Sequence, residues 1–178
     1  MSDLTLAKIN TPEMRNLMRG IPFTIEDLDA NDEGFLSARQ ITELKAKTDL
    51  YTALGVLAAF MSFCLATILF YLANDVATMT ALKIISLIVF AVSMFAVTLG
   101  LKLGRRVRRG SGVKTVEGKA ELSLSVSTTG EAPVYSLRIG GAEFLLTKEA
   151  YLSFAPGEYR VYYYQLIGKV LLSAEKTG

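Results

Sequence analysis

The residues best suited to ligand binding form an acidic loop near the N-terminus. From Asp29 onward, the stretch DANDEGFLSARQ follows the spacing of the twelve-residue calcium loop of an EF-hand. Asn31 and Glu33 take the next side-chain positions, and Gly34 takes the sharp turn. Gln40 replaces the closing bidentate glutamate, which removes a negative charge and much of the ligand geometry. We therefore expect a solvated acidic turn that binds no calcium at cytosolic levels, with a calcium site as the alternative.

The usual side chains of catalysis are sparse in this chain. It has no histidine, so the commonest general base and the commonest metal ligand are missing. The one cysteine, Cys64, lies inside an apolar stretch and is expected to act as a small hydrophobic side chain. Ser123, Ser125 and Ser127 alternate along a predicted strand without a histidine or activated lysine to pair with. We therefore expect no enzyme activity, no metal site and no cofactor.

A compact basic segment covers residues 102–114. Residues 83–114 carry 7 basic and no acidic side chains, although the whole chain has a net charge of only +2. Because Gly104, Gly110 and Gly112 interrupt the segment, it is predicted to be a flexible basic hinge at residues 104–114. A basic block beside an apolar stretch indicates a membrane surface rather than nucleic acid. The candidate contacts for anionic lipid headgroups are Lys102, Arg105, Arg106, Arg108 and Arg109; the alternative is that these residues only set topology.

Two apolar stretches organise the chain around this segment. Residues 50–73 and 81–103 are 24 and 23 residues long, and each would form a helix of about 35 Å, enough to cross a hydrocarbon core of about 30 Å. A pair of buried helices in a soluble protein is the alternative. The loop at 74–80 contains Asp75 but no lysine or arginine, whereas basic residues flank both outer ends. This distribution predicts a transmembrane hairpin with both termini in the cytoplasm.

Small residues recur at four-residue intervals in both stretches. Such a pattern permits close contact between helices. It predicts either that the hairpin packs on itself, or that it forms a homo-oligomer or docks to a larger membrane protein. The residues predicted to pack helices are Gly55, Ala59, Ala96, Gly100 and Gly104.

The segments on either side of the hairpin differ in character. Residues 1–49 are predicted to form helices, because Thr11, Thr24 and Ser37 each stand at a capping position, the last with Gln40 in a capping box. Residues 115–178 alternate apolar and polar side chains in five predicted strands joined by tight turns. We expect these strands to form a small antiparallel barrel or a strongly curved sheet.

A tyrosine cluster in the last long strand is a candidate partner face. Alternation places Tyr162 and Tyr164 on the face opposite Tyr159 and Tyr163, so one pair is expected to be exposed. The alternative is that the barrel core covers one face and that the N-terminal helices or a crossover cover the other.

The pattern YSLRIGGAEFLL, PGEYRVYYYQ and LLSAE, following a membrane hairpin, resembles that of uncharacterised prokaryotic two-span membrane proteins with a small C-terminal β-domain. The resemblance covers about the last 60 residues, which is the size of a small domain. It implies a membrane location but no activity.

Together these patterns predict an α+β membrane protein in four parts. Helices at 1–49, a transmembrane hairpin at 50–103, a basic hinge at 104–114 and a cytoplasmic β-domain at 115–178 follow one another. The expected function is that of a non-enzymatic interaction or regulatory module integral to the cell (inner) membrane. An accessory subunit of a membrane transport or secretion complex is the alternative. The expected partners are the lipid bilayer, with anionic lipids, and a protein or a second copy of the chain, without nucleic acid.

Overall fold

A computed structural model describes residues 11–72, 76–126 and 132–178. Residues 1–10, Asp75 and Ser127, which carry some of the sequence-based expectations, lie outside the described residues. The helices are α1 (Pro12–Gly20), α2 (Ile25–Asp32), α3 (Ala38–Leu72), α4 (Val76–Arg108) and α5 (Lys148–Ser153). The strands are β1 (Val113–Lys119), β2 (Glu121–Ser125), β3 (Val134–Ile139), β4 (Ala142–Leu146), β5 (Glu158–Gln165) and β6 (Lys169–Lys176).

The predicted caps of the three N-terminal helices are confirmed. The Thr11 hydroxyl accepts a hydrogen bond from the Met14 amide, 3.3 Å away, at the start of α1. Thr24 and Asp27 form a reciprocal capping box at α2. Ser37 and Gln40 form a second capping box before α3, with both hydrogen bonds at 3.2 Å. Each cap satisfies amide groups that the first turn of a helix leaves unpaired.

The chain divides into two compact units. We call Ile41–Arg109 the hairpin unit; it contains most of α3 and all of α4. Both of these helices are long and apolar enough to cross a membrane, judged by length and composition alone. The described residues up to Gln40, together with Gly110–Gly178, form the other unit, which we call the strand unit.

The strand unit has one hydrophobic core, built from both ends of the chain. Leu17 of α1 and Phe23 pack in the same cluster as Leu137, Phe144 and Val161 of the strands. This differs from the division predicted from the sequence, which kept residues 1–49 apart from 115–178. The physical reason is the limited apolar area of a 60-residue sheet domain, which the N-terminal helices increase.

The strands form two sheets rather than a closed barrel. One antiparallel sheet has the order β1-β5-β6 and the other has the order β2-β3-β4. Only Ala120 separates β1 from β2, and its amide donates to the carbonyl of Gly157, 3.0 Å away. The chain therefore passes from one sheet to the other at this residue. In the described residues no pairing joins the two sheets, so the strands form neither the closed barrel nor the single curved sheet expected from the sequence.

The predicted flexible hinge is mostly regular structure. Helix α4 continues to Arg108, so Gly104 lies inside a helix, and β1 already begins at Val113. Gly110 and Gly112 have positive φ angles of 66° and 103°, and they terminate the helix and redirect the chain. The lysine, arginine and leucine residues around Gly104 have high helix propensity. Their propensity offsets the cost of one glycine in a helix interior, which is about 1 kcal/mol.

A change in α1 tests the shared core. Replacing Leu17, which is 1% exposed, with alanine should destabilise the strand unit by about 2–5 kcal/mol, because a buried leucine leaves a cavity. Unfolding of the full-length protein in detergent, followed by the near-ultraviolet circular dichroism of its tyrosines, measures this. Exposed Asn16 in the same helix gives the matched control, Asn16→Ala. If the tyrosine signal of Leu17→Ala unfolded at the wild-type urea concentration, α1 would not belong to the core.

Candidate functional site

The two long helices of the hairpin unit meet along a seam of small residues. A Cβ atom added to Gly55 would lie 3.4 Å from Val97 Cγ2 and 3.6 Å from Ala96 Cβ. A Cβ atom added to Gly100 would lie 3.3 Å from Thr52 Cα. The structure therefore brings Gly55 next to Ala96 and places Gly100 directly against the backbone of Thr52.

Other small residues continue the seam in both directions. A Cβ atom on Gly104 would lie 3.7 Å from Thr48 Oγ1, and Ala59 is half-buried one step further along α3. The spacing alternates between three and four residues, as in a coiled coil, but small side chains replace the usual leucines. The seam consists of Thr48, Thr52, Gly55 and Ala59 on α3 and of Ser93, Val97, Gly100 and Gly104 on α4.

Most large apolar side chains within the two apolar stretches of these helices are exposed. Leu87 and Phe95 of α4 are 69% and 68% exposed, and Phe60 and Phe63 of α3 are 62% and 63% exposed. A helix pair in water would place its largest apolar side chains at the contact, because burial stabilises them by about 1.5–3 kcal/mol each. In this hairpin the small residues lie at the contact, and the large apolar side chains named above are exposed. Further outward residues are Leu57, Leu65, Ile84, Ile88 and Val92.

The hydroxyl groups within these apolar stretches bond to their own helices. Thr52 Oγ1 donates to the carbonyl of Thr48 at 2.8 Å, and Ser86 Oγ donates to that of Leu82 at 2.8 Å. Ser62 Oγ donates in the same way to the Ala58 carbonyl at 2.6 Å. Such bonds let a hydroxyl group lie in surroundings without water.

The candidate lipid-contacting residues lie on the last turns of α4. Lys102, Arg105 and Arg106 are in the helix, and the amide of Arg109 donates to the Arg106 carbonyl at 3.2 Å, which continues the turn. With helical spacing, Lys102, Arg105, Arg106 and Arg109 form one exposed stripe opposite the seam, and exposed Arg108 lies beside it. We call these five residues the basic stripe. The helix C-terminus also favours cations here.

The predicted partner face at Tyr162 and Tyr164 is not exposed. Both side chains are only 1% exposed, so this expectation needs correction in favour of the alternative that the N-terminal helices cover the face. The Tyr162 hydroxyl donates to Asp32 Oδ1 of α2 at 2.7 Å. Asn31 Nδ2, also from α2, donates to Ser173 Oγ of β6 at 2.7 Å. Burial raises the pKa of Tyr162, and the hydrogen bond to Asp32 raises it further.

An ionic network joins α2 to the β1-β5-β6 sheet. Arg160 forms an ion pair with Glu117 of β1 and places Nη1 3.2 Å from Glu175 Oε1 of β6. Its Nη1 also lies 3.8 Å from Asp32 Oδ1. The hydrogen bond to Glu117 raises the pKa of Arg160, so the guanidinium stays charged. The sequence analysis did not identify this network, which depends on the cross-strand register Glu117, Arg160, Glu175.

A second polar cluster links α2 to the start of α3. Buried Asp27 accepts hydrogen bonds from Arg39, Ser37 and Thr24, with Arg39 Nε at 3.1 Å. Burial alone would raise the pKa of this carboxyl, but these hydrogen bonds outweigh burial and hold the pKa below its ordinary value of 3.8. The stabilising contribution of the ionised group is therefore present at neutral pH. It is lost as the pH falls through the lowered pKa.

The acidic loop does not have the conformation of a calcium loop. Asp29 and Asn31 belong to α2, and the Asn31 side chain is directed to buried Ser173. Gln40 Oε1 accepts a hydrogen bond from the Ser37 amide. Across the part of the chain that the structure describes, no three histidine, cysteine or acidic side chains are grouped to hold a metal ion.

Comparisons of the chain with models of protein families, with curated proteins and with solved structures found no match.

A substitution at Gly100 tests the seam. Gly100→Leu should destabilise the hairpin by about 1–3 kcal/mol, because the larger side chain would run into Thr52 and separate the helices. Exposed Ala91 lies on the opposite face of α4, so Ala91→Leu should change the stability by less than about 0.5 kcal/mol. Unfolding in mixed micelles with increasing sodium dodecyl sulfate measures both variants. Equal stability of the two variants would contradict the seam.

Proposed function

We propose that this chain is an integral membrane protein whose hairpin unit spans the cell (inner) membrane. The observation that supports this most is the orientation of side chains in α3 and α4. Glycine, alanine and threonine occupy the seam, while Phe60, Leu87 and Phe95 point away from it. Lipid chains would cover these side chains, and close packing of small residues is how helices associate in lipid.

The distribution of charge supports a cytoplasmic location for both termini. The basic stripe follows the second apolar stretch, and Arg39, Lys45 and Lys47 precede the first. The connecting loop at 74–80 has no lysine or arginine. Cationic residues are retained on the cytoplasmic side of a membrane, and each contributes about 1 kcal/mol of attraction to an anionic leaflet. The basic stripe would therefore lie at the inner leaflet, where it can bind anionic lipid headgroups.

The strand unit is the regulatory or interaction part of the proposal. It has its own core, and Val134 and Leu145 expose apolar side chains on the outer face of the β2-β3-β4 sheet, at 50% and 75%. The register places these two residues on one face, since Leu145 pairs with Ser136, two residues from Val134. Exposed apolar side chains that share a face favour a protein contact. In this proposal the strand unit is a non-enzymatic module, and its partner is a protein.

The alternative of an accessory subunit is less well supported. That alternative uses the small residues as a docking site for another membrane protein. Gly55 and Gly100 already lie in the contact between α3 and α4 of the same chain. The hairpin therefore needs them for its own packing.

Accessibility of single cysteines in intact cells tests the proposal. After Cys64→Ser, a cysteine placed by Asp75→Cys should react with a membrane-impermeant reagent, because the loop would be external. Thr177→Cys should react only after the cells are opened, because the strand unit would be cytoplasmic.

The reverse labelling pattern would move both termini outside, and equal labelling in intact cells would contradict a spanning hairpin. Purification in mild detergent distinguishes the interaction module from the accessory subunit. A multipass protein recovered in fixed stoichiometry would favour the accessory subunit.

A further inference from the structure

Helix α3 carries an apolar groove along one of its outer faces. The groove has a volume of about 570 Å³, which lies within the range of small-molecule sites, about 300–1,000 Å³. Four of its lining residues recur at intervals of three and four positions and therefore form one stripe of the helix. All of the lining residues belong to α3 within the hairpin unit: Asp49, Thr52, Ala53, Val56, Leu57 and Phe60.

The groove runs from the beginning of the first apolar stretch to its middle. Asp49 directly precedes Leu50, where that stretch begins, and Phe60 lies eleven residues after Asp49. At 1.5 Å per residue this separation is about 16 Å along the helix, whereas half of a hydrocarbon core is about 15 Å thick. The groove therefore extends across one leaflet, as an acyl chain of that leaflet does.

A single acidic side chain occupies the outer end of the groove. Asp49 is exposed, and within the described part of the chain its carboxylate forms no ion pair or hydrogen bond. The other five lining residues carry no charge. Lys45 lies one turn before Asp49 on the same side of α3 and is half-buried. An anionic and a cationic side chain thus lie next to each other where the apolar stretch begins.

These two charges are complementary to a zwitterionic lipid headgroup. A primary ammonium group can donate hydrogen bonds to the Asp49 carboxylate, while the phosphate of the same headgroup lies near Lys45. A quaternary ammonium group has no N–H to donate, so it would interact with Asp49 through charge alone. A headgroup without a cation would bring its phosphate towards Asp49, and the two negative charges would repel each other.

We propose that the groove binds one acyl chain of an inner-leaflet aminophospholipid, whose ammonium group is held by Asp49. This inference rests on the proposed spanning hairpin and goes beyond it, because it assigns a selective lipid site to α3. The site uses only residues of the hairpin unit. It is separate from the basic stripe of α4, which acts on anionic headgroups.

The chain has no tryptophan, so one introduced tryptophan reports a single position. Phe60→Trp reports the inner end of the groove, and Phe95→Trp, at an exposed position of α4, reports the surrounding lipid. Each full-length variant is reconstituted into equimolar phosphatidylethanolamine and phosphatidylcholine with matched acyl chains. In one set of vesicles the first lipid is brominated deep in its chains, and in the other set the second lipid is, because bromine quenches a tryptophan that it contacts.

Brominated phosphatidylethanolamine should quench Phe60→Trp more strongly than brominated phosphatidylcholine, with a relative binding constant of about five to ten. This range lies between the strength of an exposed ion pair and that of a hydrogen bond to a charged group. Both lipids should quench Phe95→Trp equally. Adding Asp49→Asn should abolish the preference at Phe60→Trp. Adding Glu43→Gln, which removes the same charge from an exposed residue of α3 outside the groove, should preserve it.

Equal quenching of Phe60→Trp by both lipids, or a preference that survives Asp49→Asn, would overturn the lipid site, while quenching of Phe95→Trp would still support the spanning hairpin. If neither lipid quenches Phe95→Trp, the spanning hairpin itself fails. If Phe95→Trp is quenched but Phe60→Trp is quenched by neither lipid, a protein such as a second copy fills the groove, which would also overturn the lipid site.

Discussion

Close approach of α3 and α4 through small residues is the contact on which the hairpin unit depends. Gly100 meets the backbone of Thr52, and Gly55 meets Ala96, so the helices touch without a large side chain between them. Most large apolar side chains within the two apolar stretches must then find another environment, whereas Leu44 and Val107, which lie outside those stretches, are buried. In water the exposed side chains would drive aggregation, whereas in lipid they cost nothing to expose. The small residues at the contact and the exposed large side chains therefore both favour a location in lipid.

The strand unit depends on a different constraint, which is that its core needs both ends of the chain. Leu17 and Phe23 complete a cluster whose other members come from the strands, and α2 covers the sheet face that carries Tyr162. The hairpin unit is therefore an insertion between two parts of one fold. The chain leaves and re-enters at neighbouring points, where Leu36 donates to Gly110 and Phe35 bridges Ser111. Two adjacent connections suit an inserted hairpin.

Local signals in the sequence predicted local structure well. Thr11, Thr24 and Ser37 cap the helices as expected, because a cap depends only on residues within one turn. The alternation of apolar residues also located strands β2 to β6. The glycines of the basic segment were misleading, since Gly104 is helical and only Gly110 and Gly112 redirect the chain.

Features that depend on long-range packing could not be predicted. Tyr162 is buried against α2, which lies more than 120 residues earlier, and one sequence does not indicate such a pairing. The Arg160 network likewise requires the register of three strands. Ala120 carries the chain from one sheet to the other, and strand periodicity contains no signal for this change.

In the proposed membrane location, lipid surrounds the outer faces of α3 and α4 while the small-residue seam is shielded. Spin labels placed one at a time along residues 84–104 of the reconstituted protein measure this through their collision rates with oxygen, which concentrates in lipid. We expect the rates to vary with a helical period, with minima at Ser93, Val97 and Gly100 and maxima near Phe95 and Val92. High rates for a water-soluble relaxation reagent at Phe95, or oxygen minima on that outer face, would contradict it.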